Sequence, residues 1–391
     1  MKKRKINELT IFAFVILTIL FAIPYMVSGY VTNFIDAIFE SCSGLTTTGA
    51  TVFYANLGEL PKWLLFYRSF TNFVGGFIVL LFIFKDSWKN ALMLYSALAM
   101  SLLIALSLAG MDLFNATCYA LSTISTGGFT TSLDGLNNPV YQIIIVVFMI
   151  VSVFDYAILL RIRFKGIKEI VRDDEIKFFV SSVIIASCFI FILNCVYSGF
   201  NVNPEKMLLD SIFQVTSIIT TTGYVTVNYM AWPTVSLMIL FALFFINGCT
   251  NSPSGGVKSY RIIVCLKLIK RSFTLRIHPN RIVPLSYNKK ELSTESAISA
   301  TSYIMTFIVT LVFSAVALSL SNLDFVTTFT SAFSLLSNVG ASFPENGIML
   351  VYENLPSVTK LLCPIIMFMG RFELTMVMMF FSKFYWNRNR G

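Results

Sequence analysis

Long apolar runs alternate along the chain with short stretches rich in hydroxyl groups and glycine. Eight of the runs, roughly 9–27, 62–84, 91–110, 139–160, 176–198, 233–269, 297–320 and 357–382, are long enough to cross about 30 Å of hydrocarbon as helix. Four further apolar segments, 34–45, 113–124, 208–219 and 325–336, are too short to span. Each is followed by a polar run ending in glycine: Thr47-Thr48-Gly49, Thr126-Gly127-Gly128, Thr221-Thr222-Gly223 and the more degenerate Asn338-Val339-Gly340. A serine stands six residues before each glycine, at Ser43, Ser122, Ser217 and Ser334. Thirteen residues before come Asp36, Asn115, Asp210 and Thr327, each read as the N-cap of a short re-entrant helix.

The pattern predicts one unit used four times: outer helix, short helix dipping into the membrane, oxygen-rich loop, inner helix. The expected fold is an all-α polytopic membrane protein with these repeats arranged pseudo-fourfold around a central pore. Its quarters are 1–84 (pore loop 34–52), 85–165 (pore loop 112–131), 166–290 (pore loop 205–226, broken inner helix 233–269) and 291–391 (pore loop 325–343).

Membrane physics says what such loops are for. Non-helical backbone at membrane depth is tolerated only where protein covers it or water fills the space beside it. A short helix aiming its C-terminal end at the axis adds about half a negative charge. Carbonyl oxygens from four extended loops can then replace the hydration shell of a monovalent cation, and glycine supplies the torsions that turn carbonyls inward. Taken singly, a Thr-Thr-Thr-Gly run reads as threonines bonding back to their own helix. Four copies in register, each between spans, favour the pore.

Composition agrees with a lipid-facing chain, since 56% of the 391 residues are hydrophobic and only 13% charged. The net charge of +9 would suit nucleic acid, but its placement makes that the weak reading. All but five of the 29 lysines and arginines cluster at the N-terminus and in 85–89, 161–177, 258–290 and 383–390. These clusters alternate with nearly uncharged connections, so the positive-inside rule places them, and both termini, in the cytoplasm. The first run, after Lys2-Lys3-Arg4-Lys5, reads as a retained span rather than a signal peptide. Seven cysteines without Cys-x-x-Cys spacing read as small reduced hydrophobes, and the single His278 removes most metal and histidine-based schemes. No nucleophile with a base converges, so an enzyme is not expected.

The sixth run carries a second feature. Its 37 residues would make about 55 Å of helix, nearly twice the hydrocarbon thickness. Midway lie Asn247, Gly248, Ser252, Pro253, Ser254, Gly255 and Gly256, followed by Lys258, and the helix must break there. A polar break below the filter could plug the path; a loop at the cytoplasmic surface is the blander alternative. In the last run Arg371 has no polar flank, and intramembrane charge tends to face a cavity or a partner. Pairing with Glu373 is its plainer reading. Asp155 is read as the partner of Arg161. Glu40 and Glu345 could concentrate cations at the mouth or be ordinary solvated carboxylates. The basic stretch 258–290 could hold acidic lipid headgroups or dock a cytosolic subunit.

Five segments resemble the Trk/Ktr/HKT superfamily of potassium transporters, within it the bacterial TrkH type. They are 39–52 (FESCSGLTTTGATV), 68–76 (RSFTNFVGG), 121–129 (LSTISTGGF), 248–261 (GCTNSPSGGVKSYR) and 370–373 (GRFE). The resemblance implies potassium as the transported ion, held at the twelve filter residues above. It also implies a homodimer in the bacterial cytoplasmic membrane and a cytosolic nucleotide-binding gating ring of TrkA or KtrA type. It implies that the 247–258 stretch is an intramembrane gating loop and that Arg371 lies beneath the filter near it. Only eight residues precede the first apolar run, which resembles the Ktr layout. Sodium-selective plant relatives carry serine where this chain has Gly49, so glycine there points to potassium. Ion-coupled symport is the remaining alternative, with Asp155 and Glu373 as the available carboxylates.

Overall fold

The computed structural model describes residues 2–31, 33–166, 168–197, 203–343 and 352–372, together with Leu374, Val377 and Met378. The first quarter runs α1 (Lys2–Val27), the short α2 (Phe34–Leu45) and α3 (Lys62–Ile83). The second holds α4 (Trp88–Leu108), α5 (Leu113–Ile124), α6 (Pro139–Ser152) and α7 (Tyr156–Lys165). In the third come α8 (Lys168–Arg172), α9 (Asp174–Tyr197), α10 (Pro204–Ile219), α11 (Thr234–Leu243) and α12 (Ser259–Ile277). A two-stranded hairpin, β1 (Ser286–Tyr287) with β2 (Lys290–Glu291), leads to the fourth: α13 (Thr294–Leu318), α14 (Phe325–Ser337) and α15 (Ser357–Arg371).

The short helices fall where the apolar pattern puts them, but their caps do not. The capping side chains are Asn33, Asp112, Asn203 and Asp324, accepting from Ile35 N at 3.0 Å, Phe114 N at 3.2 Å, Glu205 N at 3.0 Å and Thr327 N at 2.8 Å. Asp36, Asn115, Asp210 and Thr327 lie inside the helices, the third of them because α10 starts a turn early, at Pro204. Cap and first turn share one helical face, so spacing alone does not separate them. Asp36 instead pairs with Lys360 of α15 at 2.9 Å.

Among the described residues four helices, Lys62–Ile83, Trp88–Leu108, Asp174–Tyr197 and Thr294–Ser321, are long and apolar enough to cross a membrane. Large apolar side chains such as Leu108, Phe189 and Phe313 are left exposed on their outer faces, as lipid contact requires. The expected span 139–160 is not continuous: α6 stops at Ser152, and the freed Val153 carbonyl accepts from Cys249 N at 2.9 Å. The expected span 357–382 is also interrupted, with Phe372 extended after Arg371 and helix again at Leu374, Val377 and Met378.

Closure of the ring is visible in packing, since α15 of the last quarter lies against both α14 and α2 of the first. Inner helices press on the ends of the short helices through glycine. A Cβ at Gly75 would strike the Leu45 carbonyl and one at Gly370 the Leu336 carbonyl, so only a bare backbone fits.

Candidate functional site

Each short helix ends in the same irregular turn. The left-handed region is taken first by Thr47 (φ 51°), Thr126 (φ 57°), Thr221 (φ 58°) and Asn338 (φ 55°). Two residues on it is taken again by Gly49 (φ 77°), Gly128 (φ 72°), Gly223 (φ 78°) and Gly340 (φ 81°). Such torsions are costly for threonine, and they recur in all four copies, which marks a functional constraint. Two left-handed residues two positions apart take the chain out of the helix into an irregular turn whose backbone carbonyls can face a cation path.

The serine found six residues before each glycine holds this turn. Its carbonyl accepts from the amide before the glycine: Thr48 N to Ser43 O at 2.9 Å, Gly127 N to Ser122 O at 2.8 Å, Thr222 N to Ser217 O at 3.0 Å and Val339 N to Ser334 O at 2.9 Å. In two repeats its hydroxyl also donates past the glycine, Ser43 to Ala50 O and Ser217 to Tyr224 O.

The four turns meet in a ring. A Cβ on Gly49 would overlap the Gly127 carbonyl oxygen, one on Gly128 that of Thr222, one on Gly223 that of Val339 and one on Gly340 that of Thr48. The order runs one, two, three, four and back to one. All four glycines line one small cavity of about 70 Å³, rimmed by Tyr54, Tyr224 and Tyr352.

Behind the first two loops lies a buried ion pair that spacing did not reveal. Arg68 Nε meets Glu40 Oε1 at 2.8 Å, with 1% and 0% of the two side chains exposed. Glu40 also accepts from Thr51 Oγ1 at 3.0 Å and from Val52 N at 3.1 Å. Arg68 donates to Thr51 Oγ1 at 2.9 Å and to Thr130 O at 3.3 Å, and stacks 4.3 Å from the Phe129 ring centre. Glu40 is therefore neither a mouth charge nor solvated; it braces loop one to loop two. A lone arginine within an apolar run was the available signal. Glu345 and Glu373 lie outside the described residues.

Directly beneath the ring runs the break between α11 and α12, residues 244–258. It is packed within the protein rather than laid on a surface: Gly248, Ser252, Pro253, Ser254, Gly255 and Gly256 are buried. Thr126 Oγ1 donates to Pro253 O at 3.3 Å, and Gly255 N donates to Thr221 Oγ1 at 3.1 Å. A Cβ on Gly255 would strike Asn338 and the Ser337 carbonyl. Thus the left-handed residues of repeats two, three and four all face this loop. Arg371 Nη1 donates to Pro253 O from the other side.

The loop's own polar groups are satisfied internally, as burial demands. Asn247 N donates to Val257 O at 3.2 Å, and Ser259 N to Gly248 O at 3.3 Å. Lys258 Nζ donates to Ser252 O at 3.2 Å and to Ser254 Oγ at 2.9 Å. Asp155 is occupied by this loop, not by Arg161: its two oxygens accept from Asn251 Nδ2 at 3.1 and 3.0 Å, and Arg161 is exposed. The pairing follows from the break after α6, which turns Asp155 toward the inserted segment.

Glu175 at the start of α9 ties the loop to the basic face. It accepts from Thr250 Oγ1 at 3.0 Å, from Tyr260 N at 2.9 Å and from Tyr287 of the hairpin at 3.4 Å. Hydrogen bonds to a charged group contribute about 1.5–3 kcal/mol each. Glu175→Ala is expected to speed amide exchange across 244–258 by roughly tenfold or more, read by hydrogen–deuterium exchange mass spectrometry. Unchanged protection there would show that the filter contacts hold the loop alone.

The TrkH family, described as a cation transport protein, matches residues 3–103 and 87–388. The Trk system potassium uptake protein TrkG of Escherichia coli K12 is 30% identical over 392 residues, 90% of this chain and 79% of that protein. TrkH of Halomonas elongata is 27% identical, over 94% of this chain and 83% of that protein. The crystal structure of the potassium transporter TrkH from Vibrio parahaemolyticus superposes with a TM-score of 0.92 at 24% identity, covering 98% of this chain and 86% of that one. With most of its length matched, and with re-entrant helices and apolar spans of this kind, the chain is a multi-pass membrane protein and belongs to the TrkH cation transport family.

Proposed function

We propose that this protein takes up potassium across the bacterial cytoplasmic membrane, through a filter formed by the backbone of the four glycine-ended turns. The observation that carries the reading is the ring itself: four turns, each with left-handed residues two positions apart, and with every glycine pressed against the next repeat. Backbone carbonyls so arranged match the loss of a weakly hydrated monovalent cation's water shell, with no carboxylate among the twelve filter residues to favour divalent ions. The curated relatives are named as potassium uptake proteins, which agrees.

In this reading residues 244–258 with Arg371 are the gate. The loop occupies the space under the filter, and the guanidinium of Arg371 adds positive charge on the exit path. Opening withdraws the loop toward the basic side, where a cytosolic nucleotide-binding ring of TrkA or KtrA type would act on a homodimer. Both termini lie on that side. Coupled transport through Asp155 is not favoured, because both its oxygens accept from Asn251 Nδ2; Glu373, the other available carboxylate, lies outside the described residues.

The test is uptake into proteoliposomes under an imposed membrane potential. Potassium and rubidium are expected to enter at least tenfold faster than sodium and lithium, without need of a sodium or proton gradient. Equal entry of all four ions would overturn the selectivity; dependence on a second gradient would overturn the passive mechanism.

A further inference from the structure

We propose that an anionic phospholipid binds at the basic end of α12, its phosphate on Lys270, Arg271 and Arg281 and one acyl chain in a trough along α13. Two adjoining cavities carry this. The first, about 390 Å³, is lined by Lys267, Lys270, Arg271 and Arg281, and no carboxylate borders it. Lys267 is already committed to Asp174 at 3.3 Å and to Ser286 O at 2.7 Å. The other three cations enter no ion pair among the described residues, so four like charges converge with only one neutralised. A doubly hydrogen-bonding phosphate is the chemistry that relieves such a cluster.

The second cavity, about 560 Å³, is apolar along Leu268, Ala297, Ile298 and Met305. It shares Arg271 and Leu285 with the first, so the two lie side by side across those side chains. From Thr294 to Thr306 it follows α13 for about 18 Å, comparable with an extended acyl chain. Ile298 and Met305 are 62% and 60% exposed on a helix long enough to span, so the trough opens toward hydrocarbon. Ile277 and Ile282, 71% and 92% exposed beside the cations, add the mixed apolar and basic character of a membrane interface.

The adjacency of the cavities decides between occupants. A soluble phosphate would satisfy the cations and leave the trough empty. A water-soluble protein partner would reach the cations but not a groove facing the acyl region. A phospholipid fills both with one molecule.

The experiment uses the full-length protein, delipidated in detergent, with lipid retention read by native mass spectrometry. Phosphatidylglycerol is expected to be retained several-fold better than phosphatidylcholine of the same chains. Arg271→Gln with Arg281→Gln should lower that retention by roughly tenfold. Ser302→Phe, which puts a ring in the trough and alters no charge, should lower it as well, and glycerol phosphate should not compete. Equal retention of the two lipids, or full retention by the double variant, would overturn the proposal. Competition by glycerol phosphate with no effect of Ser302→Phe would assign the site to a soluble anion. Unchanged lipid retention with loss of binding to a cytosolic ring would assign it to protein docking, and either result also overturns the lipid assignment. Thermal unfolding confirms that the variants are folded, and because no ion flux is read, the result stands apart from the potassium reading.

Discussion

Arg68→Met is expected to cost about 3–5 kcal/mol of stability, the penalty for leaving one member of a buried ion pair without its partner. Glu40 would keep its contacts with Thr51 Oγ1 and Val52 N but would lose the 2.8 Å contact to Arg68 Nε. The consequence for transport follows from what the guanidinium spans. It joins Thr51 of the first loop to the Thr130 carbonyl of the second, so its loss lets two of four filter strands move apart. Rubidium over sodium preference in proteoliposomes should fall toward unity in whatever fraction folds. The double variant Glu40→Gln with Arg68→Met should regain part of the stability, because no unpaired charge is left inside, yet should not regain selectivity. Additive losses in the double variant would show that the pair is not coupled. A stable, fully selective Arg68→Met protein would remove the brace from the account.

Arg371→Ala is expected to raise potassium flux by roughly tenfold or more at unchanged ion preference. The arginine holds the loop by one charged hydrogen bond, to Pro253 O, and its Nε and Nη2 have no partner among the described residues. A hydrogen bond to a charged group is worth about 1.5–3 kcal/mol net, and removing that much from the shut state shifts a two-state balance by the factor stated. Loss of the positive charge beneath the filter acts in the same direction, since it repels the permeating ion. Deleting residues 248–255 should do the same more completely, because Pro253 and Gly255 carry the contacts to Thr126 and Thr221. Selectivity is read from the ring above and should survive both changes. A folded Arg371→Ala protein with lower flux would mean that the guanidinium supports the open path instead.

These two expectations differ in how far the chain order alone suggested them. Arg371 and the glycine-rich break are visible as a charge and a polar run where lipid forbids both; the break contacts the turns at Thr126 and Thr221, and Arg371 contacts the break. Along the chain Arg68 is one of the five cations outside the basic clusters, and Glu40 reads as a mouth charge or an ordinary solvated carboxylate. The error has a physical source: a carboxylate near the end of a re-entrant segment and an arginine near the start of a span both lie close to water in a linear reading. Only the packing of α3 behind α2 shows that both side chains are sealed from it. The same holds for Asp155, whose nearest opposite charge along the chain is Arg161 but whose partner is Asn251, 96 residues away.

Local chemistry along the chain was enough to place the short helices, the left-handed glycine turns and the break after α11, because backbone torsion, hydrophobic length and helix-breaking residues act over a few positions. It also set the number of repeats, since each carries its own serine and glycine at one spacing. What waited for the fold was every pairing between distant segments: the order in which the turns touch, the brace from Glu40 to Arg68, the tie from Glu175 to the loop, and the placing of a basic pocket beside an apolar trough. Such contacts depend on how helices rotate and press together, and a rotation of one residue step, about 100°, moves a side chain from the protein interior to lipid without altering any pattern in the sequence.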